Sequence, residues 1–387
     1  MRESSGGLRL LQLAAFFSSF DRFVVAPMLV TIAASLGASL SEVAATASLY
    51  YLFYGFMQPV WGMLSDRLGR VRVMRLTLFG VAVAGVLSAL APNLTVLIAA
   101  RALAGGLFAA VIPASLVYIG DTVGMASRQK SLADLMAASA VGTALATVLG
   151  GLAAYLDGWR LAFAAPALAG AALAVLLARL PEPKAFSEQN REGPLIQVRR
   201  VLLQPWALVV VGIALVEGAV ILGFLTFLAP SLESGGASPA VAGLAVGFYG
   251  LAVLGWTRAV KLVANRLGAS ALLLIGGGML ALGYALGAME QSLGSVSAAA
   301  VFIGGGFAFM HSTLQTWATE VVPESRATVI SLFAAALFAG SGVAAMAAAP
   351  LAEAGSFELL FALAALVAVP LGLFAALARR RYAGYRA

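Results

Sequence analysis

The stretch Gly62-Met63-Leu64-Ser65-Asp66-Arg67-Leu68-Gly69-Arg70 is a short polar interruption between two long apolar runs. A degenerate copy, Val263-Ala264-Asn265-Arg266-Leu267-Gly268, lies 199 residues further on. The same offset carries Gly37-Ala38-Ser39 onto Gly236-Ala237-Ser238 and Gly105-Gly106 onto Gly304-Gly305. At an offset of 198, Ser127-Arg128 and Gly142 reappear as Ser325-Arg326 and Gly340. Each match alone is weak, but a register shared over so long a stretch marks an internal repeat. Parallel repeats of this kind place a substrate site at their interface, near the bilayer midplane.

The runs around the repeated stretch set the class. Of 387 residues, 61% are hydrophobic and 11% charged, against about 25% charged in soluble domains. That excludes a soluble globular protein, and disorder needs the opposite balance. A spanning helix takes about 20 apolar residues, so twelve spans with connections fill the chain. The runs predict helices over Leu10–Leu36, Glu42–Leu64, Val73–Ala91, Thr95–Ile119, Leu132–Ala154, Arg160–Ala178, Trp206–Pro230, Pro239–Leu262, Ser270–Met289, Ser295–Thr319, Ala327–Pro350 and Phe357–Ala378. They are too long, and alternate too little, for barrel strands. Arg2 and Arg9 ahead of the first run imitate a signal peptide, but the run is too long and contains Asp21 and Arg22, so no cleavage is expected.

Charge sets the orientation. A formal charge of +7 on a soluble chain would suggest nucleic acid. Here all 24 Lys and Arg residues except Arg22, Arg101 and Arg160 fall on one side of the twelve spans. The positive-inside rule makes that side, and both termini, cytoplasmic. The expected fold is therefore an all-α polytopic membrane protein, twelve transmembrane helices in two pseudo-symmetric six-helix bundles. Residues 1–178 form the first bundle, 179–205 a Pro-rich cytoplasmic linker, and 206–387 the second. Within the linker, Ile196–Leu203 reads as a short surface helix carrying Arg199 and Arg200.

The polar stretch resembles motif A of the major facilitator superfamily, with its degenerate copy where the second half should carry one. The resemblance covers the whole chain through helix count, repeat and linker. It implies that Gly62, Asp66, Arg67, Gly69 and Arg70 gate a change between alternating-access states. Gly62 is expected to allow close helix approach, and Asp66 to accept hydrogen bonds at a helix end or from a basic partner across the seam between halves. Val71 stands where the family usually has a second basic residue. Arg101-Ala102-Leu103-Ala104-Gly105 resembles motif B of the drug:proton antiporter branch, in which an intramembrane Arg contributes to proton coupling. Asp21-Arg22 with Pro27 resembles the acidic motif of its first helix, and Trp159-Arg160 with Phe163 the start of its sixth. Motif C departs: Ala146-Thr147 stands for Gly-Pro, leaving a stripe of Gly142, Ala146 and Gly150. That removes the kink a Pro would bring.

A charge at the bilayer centre costs at least about 2.5–3.5 kcal/mol, so each one is a functional hypothesis. Asp21 and Arg22 lie mid-span in the first predicted helix, Arg101 in the fourth, Glu217 in the seventh and His311 in the tenth. In the resembled fold these four helices line the central cavity. Asp21 and Glu217 are the candidate proton carriers, since burial raises and a nearby cation lowers a carboxyl pKa. Arg101 would modulate Asp21, and His311 would join a proton path. Arg22, Asp21 and Glu217 are the candidate substrate-binding residues. Tyr50, Tyr51 and Tyr54 reach either the cavity or the lipid, and Trp256, Trp317 and Tyr249 are expected to be packing aromatics.

Other chemistry falls away. With no Cys and one His, a thiolate or zinc site has no ligand set. No protease, hydrolase or Walker A motif occurs. No catalytic residue, metal or cofactor is expected. The resulting expectation is a monomeric secondary transporter of the bacterial cytoplasmic (inner) membrane, without nucleic acid, whose partners are a small-molecule substrate, protons and lipids. It would export an amphipathic or lipophilic compound in exchange for protons, the acidic pair suiting cations. Two alternatives stand beside this: a proton symporter or facilitator taking up a sugar, organic acid or nucleoside, and a transport-inactive membrane sensor.

Overall fold

The computed structural model describes residues 5–183 and 193–386. Residues 184–192 of the expected linker, like Arg2, lie outside the described residues. Those described are helical throughout, with no strand. Twelve long passes follow in order: α1 Gly6–Leu36, α2 Leu40–Leu68, α3 Arg70–Ala89, α4 Leu94–Thr122, α5 Met125–Tyr155, α6 Trp159–Arg179, α7 Pro205–Ser234, α8 Pro239–Val263, α9 Ala269–Met289, α10 Leu293–Val321, α11 Pro323–Glu353 and α12 Phe357–Gly384. All except α2 are long and apolar enough to cross a bilayer. α2 is as long, but Tyr50, Tyr51, Tyr54 and Gln58 make its middle less apolar, and all four are buried among other helices. The expected surface helix is present at Pro194–Leu202. Its Val201 is buried while Arg199 is exposed.

Packing repeats with the sequence. α1 packs on α5, α2 on α4, α3 on α4 and α3 on α6. Each partnership recurs six helices later: α7 on α11, α8 on α10, α9 on α10 and α9 on α12. Individual contacts follow the offset of 199. A Cβ at Gly105 would strike the backbone of Tyr50, and one at Gly304 the backbone of Tyr249. Gly106 faces Met57 as Gly305 faces Trp256. Two long seams join helices from the first half of the sequence to helices from the second: α2 along α11 and α5 along α8. Gly151 and Gly243 meet backbone to backbone where α5 crosses α8. Gly142 and Gly150 turn the small-residue stripe of α5 onto Phe16 and Val24 of α1. α5 itself runs unbroken, in keeping with the missing Pro.

Four passes are interrupted: α1, α4, α7 and α10. In α1, helix stops at Phe23, a 3-10 turn covers Ala26–Met28 and helix resumes at Leu29. Pro27 has no N–H to give, which accounts for this break. α4 breaks between Phe108 and Val111. α7 passes through a π turn at Ala219–Gly223 and a 3-10 turn at Phe224–Phe227. α10 carries a π turn at Phe307–His311. Pro113 and Pro230 likewise withhold an N–H from the carbonyls four residues before them, Ala109 in the α4 break and Thr226 in the 3-10 turn of α7, whereas the π turn of α10 follows a Gly run with no Pro to announce it.

In hydrocarbon every freed backbone group must find an internal partner. In α1 the Asp21 carbonyl accepts from Arg101 Nη2 at 2.6 Å. In α4 the Gly106 carbonyl accepts from Trp61 Nε1 at 2.6 Å. In α7 the Gly218 carbonyl accepts from Ser341 Oγ at 3.0 Å, and that of Val220 from the Tyr284 hydroxyl. The irregular turns of the interrupted helices are thus held by side chains of neighbouring ones.

Candidate functional site

The sequence-predicted midplane charges fall beside these breaks. Because α1 stops at Phe23, the Asp21 carbonyl is among the last four left without a helical partner. Arg101 takes it, and its Nη1 also donates to Asp21 Oδ1 at 2.8 Å. The guanidinium lies over the rings of Tyr50 and Phe163, at 4.7 and 4.9 Å. Asp21 is 1% exposed and Arg101 0%. Asp21 Oδ2 and Arg101 Nε have no hydrogen-bond partner among the described residues. The pair is sealed but incompletely satisfied.

Glu217 is the next-to-last residue of the first helical part of α7, two residues before its π turn, and is 0% exposed. Its Oε2 stands 3.4 Å from Nδ1 of His311, the last residue of the α10 π turn. That separation is long for a hydrogen bond. Oε1 has no partner. The His311 ring stacks on Phe307 at 4.6 Å and tilts against Phe333 at 5.5 Å. π turns recur at functional sites, and here two of them flank one acid–base pair.

The two pairs use corresponding helices but not corresponding residues, since at the offset of 199 Asp21 falls on Val220 and Arg101 on Ala300. Each has its carboxylate on the first helix of a half-sequence (α1, α7) and its base on the fourth (α4, α10). The sequence linked Asp21 to Arg101 and named no partner for Glu217. The structure selects Arg101 for Asp21 and His311 for Glu217.

Arg22 is left over. Its guanidinium lies over Tyr54 of α2 at 4.3 Å and Phe338 of α11 at 4.8 Å. The residue is partly exposed, and its Nε and Nη2 have no hydrogen-bond partner among the described residues. Phe23, beside it, packs on Tyr249 at 5.9 Å, and Tyr249 on Phe307 at 6.4 Å. A run of aromatic contacts therefore leads from the α1 charges to His311. Tyr50, Tyr51 and Tyr54 are all buried, which removes the lipid-facing alternative.

At the α2–α3 connection, Arg70 bridges two carboxylates. Asp66 Oδ1 lies 3.3 Å from its Nη2 and Asp121 Oδ2 of α4 lies 2.8 Å from its Nε. Asp66 pairs within its own stretch, and Arg67 is exposed. Gly69 has φ +99, which disfavours any side chain. A Cβ there would also stand 2.6 Å from the Glu182 carboxyl carbon. Glu182 caps α3, accepting from Val71 N–H at 3.0 Å and Arg72 N–H at 3.1 Å. An acidic group at a helix N-terminus satisfies free N–H groups and opposes the dipole. α2 and α11 approach closely at Gly342, where a Cβ would meet Ser48 O at 2.6 Å, and at Gly55, where it would meet Ala335 O at 2.8 Å. At Gly62 the nearest atom, Ser331 Oγ, is 3.7 Å away. Gly62 therefore has room for a methyl group, contrary to the close approach expected of it.

Asp121, Glu182 and Trp61 were not legible as functional residues. Glu182 had one local signal, its position between Pro181 and Pro183 directly after α6.

The family description "Major Facilitator Superfamily" matches residues 11–255, more than half of the chain. The chain belongs to the Major Facilitator Superfamily. It is a multi-pass membrane protein. A triacylglyceride transporter of Mycobacteroides abscessus is 29% identical over 161 residues, 41% of this chain and 31% of that protein. An efflux pump of Gibberella fujikuroi is 30% identical over 229 residues, 59% of this chain and 39% of that protein. Citrate exporter 1 of Aspergillus niger is 30% identical over 174 residues, 45% of this chain and 33% of that protein. The matched stretches thus span about a third of these relatives' own lengths. Among solved structures, the nucleoside transporter NupG superposes with a TM-score of 0.79 at 15% identity, over 95% of this chain and 99% of that one. A bacterial homolog of the human lysosomal transporter Spinster, inward-facing, gives 0.77 at 18% over 97% of both. At such identities the likeness is one of fold.

Proposed function

We propose that this superfamily member is a proton-coupled exporter of a small amphipathic or lipophilic compound, of the drug:proton antiporter kind. One observation carries the coupling. Two buried carboxylates, Asp21 and Glu217, each keep one oxygen on a base and one oxygen without a partner. Such a group gains or loses a proton as its base moves and as water reaches it. The relatives named as an efflux pump and a citrate exporter support the outward direction.

Alternating access follows from bundles 1–178 and 206–387 rocking about the midplane. The segment 179–205 is the cytoplasmic linker, both termini are cytoplasmic, and the working unit is a monomer in a bacterial inner membrane. Arg70, clamped between Asp66 and Asp121, with Arg67 and the Gly69–Glu182 contact, latches the cytoplasmic end in one state. Gly62 lies at the same end, with room to slide on α11.

Asp21→Asn and Glu217→Gln are expected to abolish proton-driven efflux from energised vesicles while leaving folded protein in the membrane. Full activity in both variants overturns the coupling. A second reading, cotransport of a proton with an organic acid, is favoured by the unpaired guanidinium of Arg22. Whether acid or alkali appears inside proteoliposomes on substrate addition separates exchange from cotransport.

A further inference from the structure

The charges in the middle of the bundle do not balance by contact. Arg101 is matched by Asp21, side chain and backbone together. Glu217 has His311 within 3.4 Å, a partner that carries charge only when protonated. Arg22 is matched by no carboxylate among the described residues, and two of its nitrogens lack any hydrogen-bond acceptor. What it touches instead are two aromatic faces. Ring faces hold the cation but accept none of its in-plane N–H groups. A buried donor without an acceptor is costly, and a guanidinium fork matches a carboxylate or phosphate in shape.

We infer that Arg22 is the anchor for an acidic group of the substrate, and that the transported class is an amphipathic organic anion. The surroundings suit the rest of such a molecule. Tyr54 and Phe338 flank the guanidinium, and Phe23, Tyr249 and Phe307 continue away from it. They form a run of apolar faces that ends at His311, which keeps 17% of its side chain exposed. Tyr54 comes from the first half of the chain and Phe338 from the second, so an anion on Arg22 sits at the seam that rocking must open. This assignment rests on the midplane cluster being the transport site, as both readings above require, and not on the sense of proton flux.

The test uses one body with three heads. Purified protein in lipid nanodiscs binds radiolabelled 4-phenylbutyrate, with 4-phenylbutan-1-ol and 4-phenylbutylammonium as competitors. The carboxylate is expected to bind at least about tenfold more tightly than the alcohol, as a charge-assisted pair gives. Arg22→Gln should bring the carboxylate down to the alcohol and leave the alcohol unchanged. Arg22→Lys should retain part of the preference, and Arg199→Gln on the surface helix all of it. Tightest binding of the ammonium, an undiminished preference in Arg22→Gln, or no saturable binding of any of the three overturns the assignment. If Arg22→Gln does not fold, the wild-type order of the three heads still decides. Proton-driven flux that persists without a charge preference would remove the anion and keep the transporter reading. A preference that survives alongside active Asp21→Asn and Glu217→Gln would do the reverse.

Discussion

Replacing Arg101 by Met keeps most of the stem and removes the guanidinium, leaving two orphans. Asp21 Oδ1 loses its ion pair and the Asp21 carbonyl its donor. Breaking a pair this deeply buried costs about 3–5 kcal/mol, because the remaining charge stays where water cannot reach it. The stranded carbonyl adds about 1–3 kcal/mol. Arg101→Met should therefore lower stability by at least about 4 kcal/mol. Adding Asp21→Asn removes the stranded charge and leaves only the carbonyl unsatisfied. The double variant should then be more stable than Arg101→Met alone, by about 2–3 kcal/mol. Reversible unfolding of the purified protein by SDS titration in mixed micelles measures both differences. If Asp21→Asn makes Arg101→Met worse, or changes nothing, the charge on Asp21 is not what Arg101 holds in place.

Other variants test the supports around the site. Gly69→Ala should weaken the α2–α3 latch by more than Glu182→Gln, because it combines an unfavourable φ with a clash against the Glu182 carboxylate. Protease accessibility of the connection reads the difference. Glu182→Ala should cost about 1 kcal/mol by loss of the α3 cap, seen in the same unfolding titration. Trp61→Phe leaves the Gly106 carbonyl at the α4 break unsatisfied and should cost about 1–3 kcal/mol. Hydrogen exchange should rise around residues 106–111 and not in α3.

The sequence carried much of this arrangement. Twelve apolar runs and a register of 199 are enough for the fold, since they state which segments are buried in lipid and which are copies of one another. The midplane charges were legible because an apolar background makes every exception conspicuous. Their pairing was legible only in part. Asp21 and Arg22 are chain neighbours, yet consecutive residues on a helix point in different directions. Arg22 is thereby sent to the α2–α11 seam while Asp21 faces α4. The π turn of α10 was hidden because Gly and Ala accept helix and irregular turns alike, whereas Pro113 and Pro230 mark the irregular turns of α4 and α7. The freed carbonyls there take donors from distant side chains, Trp61 and Tyr284, that no local pattern names. Asp121 and Glu182 looked like ordinary boundary charges until packing brought them to Arg70 and Gly69.

The presence of one buried acid–base pair in each half of the chain bears on the energetics of pumping. Moving one elementary charge through 100 mV is worth about 2.3 kcal/mol, enough to sustain a gradient of about fiftyfold for an uncharged cargo. A chain with one working couple is bounded near that ratio on voltage alone. If the Asp21 and Glu217 couples each deliver a proton per cycle, the two act in series and the bound rises to about two thousandfold. A couple in each half would then set the ratio held against voltage for an uncharged cargo, and an anion of the kind inferred above carries one more charge outward, which raises each bound by about another fiftyfold.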